Sequence, residues 1–183
     1  ACSPKPLDKP HVHLIKAINP VLREFNKQKG KGVVPLDLRL DTHNRILVIS
    51  GPNAGGKSIT LKTVGLLQLM LQSGLLVTVH PDSTMGWFNG LMADIGDSQS
   101  IENELSTYSS KLTKMNYFLN AAYNKTLVLI DEFGSGSDPD LGSSMAQIFL
   151  KELNSSKTYG VMTTHYNSIK ALASELPRVD NGS

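Results

Sequence analysis

The octapeptide GPNAGGKS, residues 51–58, follows the apolar run ILVIS and precedes a segment in which Leu61, Val64, Leu67, Met70 and Leu71 recur at helical spacing. It matches the pattern G-x-x-x-x-G-K-[ST] and lies where that pattern has a mechanism, between a buried strand and a helix. Such a turn restricts the chain to folds that bring a helix N-terminus to the carboxyl edge of a sheet. Gly51, Gly55 and Gly56 let the run, with Pro52, Asn53 and Ala54 between them, fold tightly enough for backbone N–H groups to surround phosphate oxygens, reinforced by the positive end of the helix. Lys57 is placed to neutralise the β- and γ-phosphates of a nucleotide, and Ser58 to put its hydroxyl on Mg²⁺. A glycine-rich surface turn carrying a lysine is the plainer reading, and the flanking strand and helix weigh against it.

A second apolar run, LVLIDE at 127–132, ends in two carboxylates. In a parallel sheet its carboxyl end lies beside the phosphate loop, so Asp131 is a metal-holding candidate, acting through water, and Glu132 a general base for a water attacking the γ-phosphate. His165 in TTHY follows the strand YGVMTT and emerges at the same edge, within reach of that phosphate or water. Each has a plainer alternative: an exposed acidic pair after a core strand, and a histidine that merely ends one. The base is read as adenine. The guanine pattern N-K-x-D has its nearest candidate at Asn124-Lys125-Thr126-Leu127, which lacks the aspartate. A small-molecule kinase is disfavoured, because adjacent Asp and Glu suit activating water.

The rest of the chain reads as strands alternating with helices. Leu36, Leu38 and Leu40 alternate with Asp37, Arg39 and Asp41, Thr42 to Asn44 form a turn, and the pair of strands suggests an antiparallel flap leading into the core. LLVTV (75–79) is read as the strand after the first helix, and residues 80–100 as loop with short strand. Tyr108, Leu112, Met115, Leu119 and Ala122 predict a helix of about four turns behind the hydroxyls Ser106, Thr107, Ser109 and Ser110. Further helices are expected around Leu141 to Phe149 and over 168–176. This alternation predicts an α/β fold with a mainly parallel sheet covered on both faces.

With 183 residues, one α/β domain is the expectation. The net charge of +2, with 18 basic against 16 acidic residues and no charged block, excludes a strong nucleic-acid footprint within this stretch. The single cysteine, Cys2, in a start expected to be flexible, excludes an internal disulfide and points to the cytoplasm. No signal peptide opens the chain, and the apolar window 64–79 is broken by Gln68, Gln72, Ser73 and Gly74, so no membrane association is expected. The abrupt ends, ACSPKP and VDNGS, suggest a piece of a longer protein.

Taken in order, GPNAGGKSITLK, DIGDSQSIENELSTYSS, LVLIDEFGSGSDPD and TTHY resemble the ATPase domain of the MutS family, over most of the chain from about residue 33. The resemblance implies a three-layer P-loop NTPase, ABC-ATPase-like, with a small N-terminal antiparallel β flap, residues 1–32 leading into a domain at 33–183 that is truncated at its C-terminus. It implies ATP and Mg²⁺ as cofactors and a homodimer in which two ATPase domains face each other. Ser106-Thr107-Tyr108 matches the family's Ser-Thr-aromatic motif, so Ser106 is implied to act in trans on the partner's γ-phosphate. A serine-rich helix start suits an anion; the plainer reading, that Ser106 merely caps its own helix, would explain only one of the hydroxyls. Val33 and Val34 fall where the family places apolar side chains against adenine, and Asn53 at its P-loop asparagine.

The nearer likeness is to the second MutS type, the branch linked to recombination control and to stalled ribosomes. DIGDSQSIENELSTYSS resembles that branch's region, whereas mismatch-repair members carry Gly-Arg before Ser-Thr-Phe. SGSDPD resembles its Gly-Thr-Asp-Pro turn, with Ser137 for threonine. Asn19-Pro20 stands where the family has His-Pro, which leaves that position without a role. Asp97 and Gln99 are either a relay toward DNA-facing domains or polar loop residues. The implied function is an ATPase that couples hydrolysis to closure of a dimer clamp on DNA, or on a ribosome, through domains outside this stretch. The alternative is a slow nucleotide-sensing dimer switch, and nuclease activity is not expected here.

Overall fold

A computed structural model describes residues 1–51, 56–96, 104–133 and 139–182, with the side chains of 104–108 and 139 excepted. The described elements run β1 (Lys5–Leu7), β2 (Val12–Ala17), α1 (Pro20–Gln28), β3 (Leu36–Leu40), β4 (Ile46–Ser50), α2 (Lys57–Gln72), β5 (Thr84–Gly86), β6 (Gly90–Asp94), α3 (Glu104–Ala121), β7 (Thr126–Ile130), α4 (Pro139–Ser155), β8 (Tyr159–Thr164), α5 (Asn167–Glu175) and β9 (Val179–Gly182). Five of these strands form a wholly parallel sheet in the order β6-β7-β8-β4-β9.

Strand alternation divides the core between the two faces of this sheet. Leu127, Leu129 and Val161 point to one face, where they meet Leu61, Val64 and Leu67 of α2 and the underside of a second sheet. Ile46, Val48, Val128, Ile130 and Met162 point to the other, against Phe118 of α3, Phe149, Leu150 and Leu153 of α4, and Ile169 and Leu172 of α5. The result is the three-layer α/β plan of a P-loop NTPase. The α2 helix lies over Leu129 closely enough that a Cβ on Gly65 would come within 2.8 Å of the Leu129 Cδ1.

The flap is a four-stranded sheet, β1-β5-β2-β3, antiparallel except where β1 runs parallel to β5. Its pairing departs from the sequence expectation. The Asp41 carboxylate accepts from the backbone N–H of His43 and Asn44, so the expected turn is present. The two strands it joins nevertheless part company: β3 pairs with β2, whereas β4 enters the parallel sheet. Residues 5–17 thus build half of the flap. The start is also held rather than loose, since Cys2 exchanges backbone hydrogen bonds with Val77 at 2.7 and 2.9 Å. That single bridge is all that LLVTV contributes to strand pairing. Gly74, in the left-handed region at φ 74°, ends α2, Leu75 and Leu76 are exposed, Val77 and Thr78 are buried, and Val79 packs partly against the same core. Asn19 gains a role: its Oδ1 caps α1 by accepting from Val21 and Leu22, and its Nδ2 donates to Thr63 of α2.

Sequence reading missed β9. Among its residues only Val179 is buried, and VDNG has the composition of a turn. What makes it a strand is the open edge of β4, whose backbone groups it pairs from Ile46 to Ile49. The tightest backbone approach in the flap lies at Gly86, where an added Cβ would stand 1.8 Å from the Lys9 carbonyl oxygen and 2.9 Å from the His11 nitrogen. Backbone on both sides leaves no flexible atom to yield. Gly86→Ala is expected to lower stability by about 1–3 kcal/mol or more, read as a fall in the denaturant midpoint, with nucleotide affinity unchanged in the fraction that remains folded.

Candidate functional site

Parallel pairing puts the carboxyl ends of β4, β8 and β7 side by side, with β8 in the middle. Ser50 lies opposite Thr164 and Ile130 opposite Met162, so Asp131, one residue on, is level with Thr163. Two inter-strand spacings, about 10 Å, separate the strand leading to the glycine turn from the strand leading to the carboxylates.

On the β4 side, α2 begins at Lys57, directly after Gly56 in the left-handed region (φ 80°). Gly51 and Gly56 lie at the two ends of the turn, and Pro52, Asn53, Ala54 and Gly55 fall outside the described residues. Lys57 is buried, and its ammonium donates to the Gly51 carbonyl, so the charge is held against the end of β4 rather than in solvent. Ser58 is half-buried in the first turn of α2, where backbone N–H groups have no intrahelical acceptor. A cavity of about 260 Å³ opens beside Gly51 and Lys57, lined also by Leu36, Asp37, Thr60 and Gly182. Val33 and Val34 precede Leu36 in sequence; Val33 is half-buried and Val34 is 90% exposed, so an apolar side chain stands in solvent just before β3.

On the β7 side, the Thr163 hydroxyl donates to Asp131 Oδ1 at 2.5 Å and accepts from the Glu132 N–H at 2.8 Å. The Phe133 N–H donates to the Thr163 carbonyl at 2.9 Å. Between these anchors Glu132 adopts φ 49°, a left-handed conformation that costs a non-glycine residue about 1–3 kcal/mol. The buried ring of Phe133, tilted on Phe149 at 5.3 Å, helps to hold the bend. His165 Nε2 lies 3.3 Å from Glu132 Oε1, both side chains about 40% exposed. The structure therefore brings His165 to the acidic side of the edge and against Glu132.

The third contributor is α3. Ser106 lies inside this helix, which includes Glu104, whereas an N-cap residue precedes the first helical one; the reading in which Ser106 caps its own helix loses its geometry. The side chain of Ser106 is outside the described residues, as are Asp97 and Gln99. Further along α3, Lys114 pairs with Asp94 at the end of β6 at 2.7 Å, and the Asp94 carbonyl accepts from the Asp131 N–H. Burial holds the Lys111 ammonium below the ordinary lysine range, against the opposing pull of the Glu132 and Asp94 carboxylates. Sequence reading passed over Thr163, Asp94 and Lys111. Thr163 and Asp94 lie within the stretches TTHY and DIGDSQS, but the two threonines suit a strand by their β-branching alone and a lysine on a helix ordinarily reads as solvated, so none of the three was given a role of its own.

The residues suit a hydrated Mg²⁺ with a polyphosphate. Ser58 and Asp131 are hard oxygen donors, and among the described residues no group of three or more His, Cys, Asp or Glu side chains can hold a metal by itself. Magnesium takes one or two protein oxygens and fills its octahedron with water and phosphate, so a site of this kind is sufficient. Residues 47–183, which contain the whole of this edge, match the family model described as MutS domain V. The chain belongs to the MutS family. This MutS domain V is 44% identical over 154 residues to a protein named Endonuclease MutS2 from Carboxydothermus hydrogenoformans, covering 84% of this chain and 20% of that protein. Proteins of the same name from Clostridium novyi and Ligilactobacillus salivarius are 42% identical over 173 and 183 residues, covering 94% of this chain and 21% and 23% of theirs. These likenesses match the second MutS type. The chain spans about a fifth of the length of these relatives. Among its described residues, no helix is long and apolar enough to cross a membrane.

The left-handed backbone at Glu132 can be tested by itself. Glu132→Gly and Glu132→Ala both remove the carboxylate, but only glycine accepts φ 49° without steric cost. The glycine variant is expected to unfold at a higher denaturant midpoint than the alanine variant, by about 1 kcal/mol in chemical denaturation. Equal stabilities would show that the bend carries no strain.

Proposed function

We propose that this MutS domain V is the ATP-binding and ATP-hydrolysing module of a longer DNA-associated protein. Its body is residues 33–183, and residues 1–32 supply flap strands and α1. One observation carries the reading: β8 sets Thr163 to His165 between the glycine turn that holds Lys57 and the carboxylates Asp131 and Glu132, all at one sheet edge. In this reading the triphosphate lies in the turn from Gly51 to Ser58, with Lys57 against its β- and γ-oxygens. The base extends toward Val33 and Val34.

Ser58 and Asp131 would hold Mg²⁺, which supplies neutralising charge to the phosphate oxygens. Glu132 accepts the proton of the attacking water as that water bonds to the γ-phosphorus and the bond to the β-γ bridging oxygen breaks, leaving ADP and phosphate. With its proton on Nε2, His165 donates to Glu132 and keeps the carboxylate turned toward that water. No nuclease chemistry is assigned to this stretch, although the relatives carry the word endonuclease in their names, because Asp131, Glu132 and His165 are occupied in the nucleotide reaction.

Ser106 completes the proposal. Residues in the first turn of α3 retain backbone N–H groups without intrahelical acceptors, and the helix end is positive, so this turn suits the γ-phosphate of a second copy. ATP would then close a homodimer, hydrolysis would reopen it, and the remainder of the longer protein would convey that motion to DNA or to a ribosome.

Two tests follow, both at full natural length. Glu132→Gln is expected to keep ATP affinity within a few-fold while turnover falls by about 100-fold or more, and Lys57→Ala to weaken ATP binding by about 10- to 100-fold, measured by calorimetry and phosphate release. Undiminished turnover in the Glu132 variant removes the base from the scheme. For the shared site, a Lys57→Ala chain is mixed with a Ser106→Ala chain. Each is inactive alone, and the mixture should regain hydrolysis in the composite site that pairs an intact turn with an intact serine. A mixture no more active than its components would mean that each copy works alone.

A further inference from the structure

Thr163 is fully buried on the central strand of the edge, and its single hydroxyl makes both of the hydrogen bonds that define the acidic half of the site. A threonine hydroxyl has one proton and two lone pairs. Here the proton goes to Asp131 Oδ1, which restrains the carboxylate torsion. A lone pair receives the Glu132 N–H, the group that must be satisfied if the backbone is to turn left-handed at that residue. The backbone of Thr163 takes the next N–H, that of Phe133, so three successive residues of the acidic loop are referred to one residue on the neighbouring strand. The adjacent Thr164 extends the tie, its hydroxyl accepting from the Tyr166 N–H at 3.1 Å while Tyr166 leads into α5.

We propose that Thr163 is a positioning residue for hydrolysis: its hydroxyl sets the metal-holding carboxylate of Asp131 and the backbone of the base Glu132 at one fixed separation, so that metal and attacking water are aligned together. The role rests on the ATPase reading above and adds to it a residue that touches neither nucleotide nor metal. Valine matches the shape of threonine but can neither donate to Asp131 nor accept from Glu132. Serine retains both capacities and gives up only a methyl group.

The test compares Thr163→Val and Thr163→Ser with the unmodified protein at full natural length, with Glu132→Gln as control. Thr163→Val is expected to lower kcat by about 10- to 100-fold with KM for ATP within a few-fold. It should also raise by about 10-fold the Mg²⁺ concentration needed for half-maximal nucleotide binding in calorimetry, and speed hydrogen exchange at the Glu132 amide. Thr163→Ser should restore all three quantities to near their original values. A hydroxyl that serves packing alone predicts the opposite order, with valine turning over normally and serine less stable, and that result overturns the proposal. If the valine variant does not fold, Thr163→Ala is compared with Thr163→Ser at equal folded fraction. Serine at least 10-fold faster supports the role, and equal rates overturn it. An unmodified protein that neither binds nor hydrolyses ATP would instead discredit the ATPase reading, and a Glu132→Gln protein that still turns over would remove only the base, so the failures are separable.

Discussion

The double pairing of β8, to β4 on one side and to β7 on the other, decides what this chain can do. Parallel ladders put the carboxyl ends of adjacent strands at one edge, and their register fixes relative height to within a residue. Because Ser50 is opposite Thr164 and Ile130 opposite Met162, the glycine turn and the acidic pair open at the same level, with the threonines between them. Had β4 and β7 been direct neighbours, about 5 Å would separate the lysine-bearing turn from the carboxylates, too little for a hydrated cation and a phosphate group. A strand between them doubles the gap and supplies the side chains that bridge it.

That arrangement stores strain at Glu132, and the surroundings compensate for it locally. The left-handed bend is held by two backbone N–H groups bound to Thr163 and by the Phe133 ring beneath it. The hydrogen bonds contribute about 1 kcal/mol each and the aromatic burial a few kcal/mol more, enough to offset a penalty of about 1–3 kcal/mol. The consequence for the carboxylate is directional. Continuing in extended conformation, β7 would turn the Glu132 side chain to one face of the sheet; the reversal instead leaves it at the edge beside His165.

What could be read from the residues, and what could not, follows from how local each determinant is. The glycine turn, the apolar strands β4, β7 and β8 and the helix α2 announce themselves within a dozen residues, because periodicity and turn chemistry are local. LLVTV misled because its composition fits a strand, while the edge it meets offers only Cys2 for pairing. In β9 the failure was the reverse: VDNG lacks strand composition, yet the open edge of β4 recruits it. The flap was legible as strands but not as partners, since the Asp41 turn that suggests a hairpin is used to send β4 away from β3. The role of Thr163, though it begins the TTHY stretch, was illegible for the same reason. Its two partners are 31 and 32 residues away in sequence, and only the order of strands brings them into reach.

The third element at the edge, α3, connects the acidic half of the site to the helix turn that contains Ser106. Lys114 binds Asp94, whose carbonyl holds the Asp131 N–H, and Lys111 shares the field of Asp94 and Glu132. The Lys114 pair is partly exposed and contributes less than about 1 kcal/mol to stability, so its value lies in geometry more than in energy. An 18-residue helix spans about 27 Å and bends little, so a constraint placed about three turns from its start is transmitted to the start almost undiminished. In the dimer proposed above, a second copy bearing on that first turn would bear on a body already tied to both β6 and β7. Whatever moves the start of α3 must either stretch the Lys114 to Asp94 pair or shift the strand ends that carry Asp131 and Glu132. In the proposed dimer, coupling between the two halves would run through this helix, because the element that would touch the neighbour is held by the same strand ends that would carry out the chemistry.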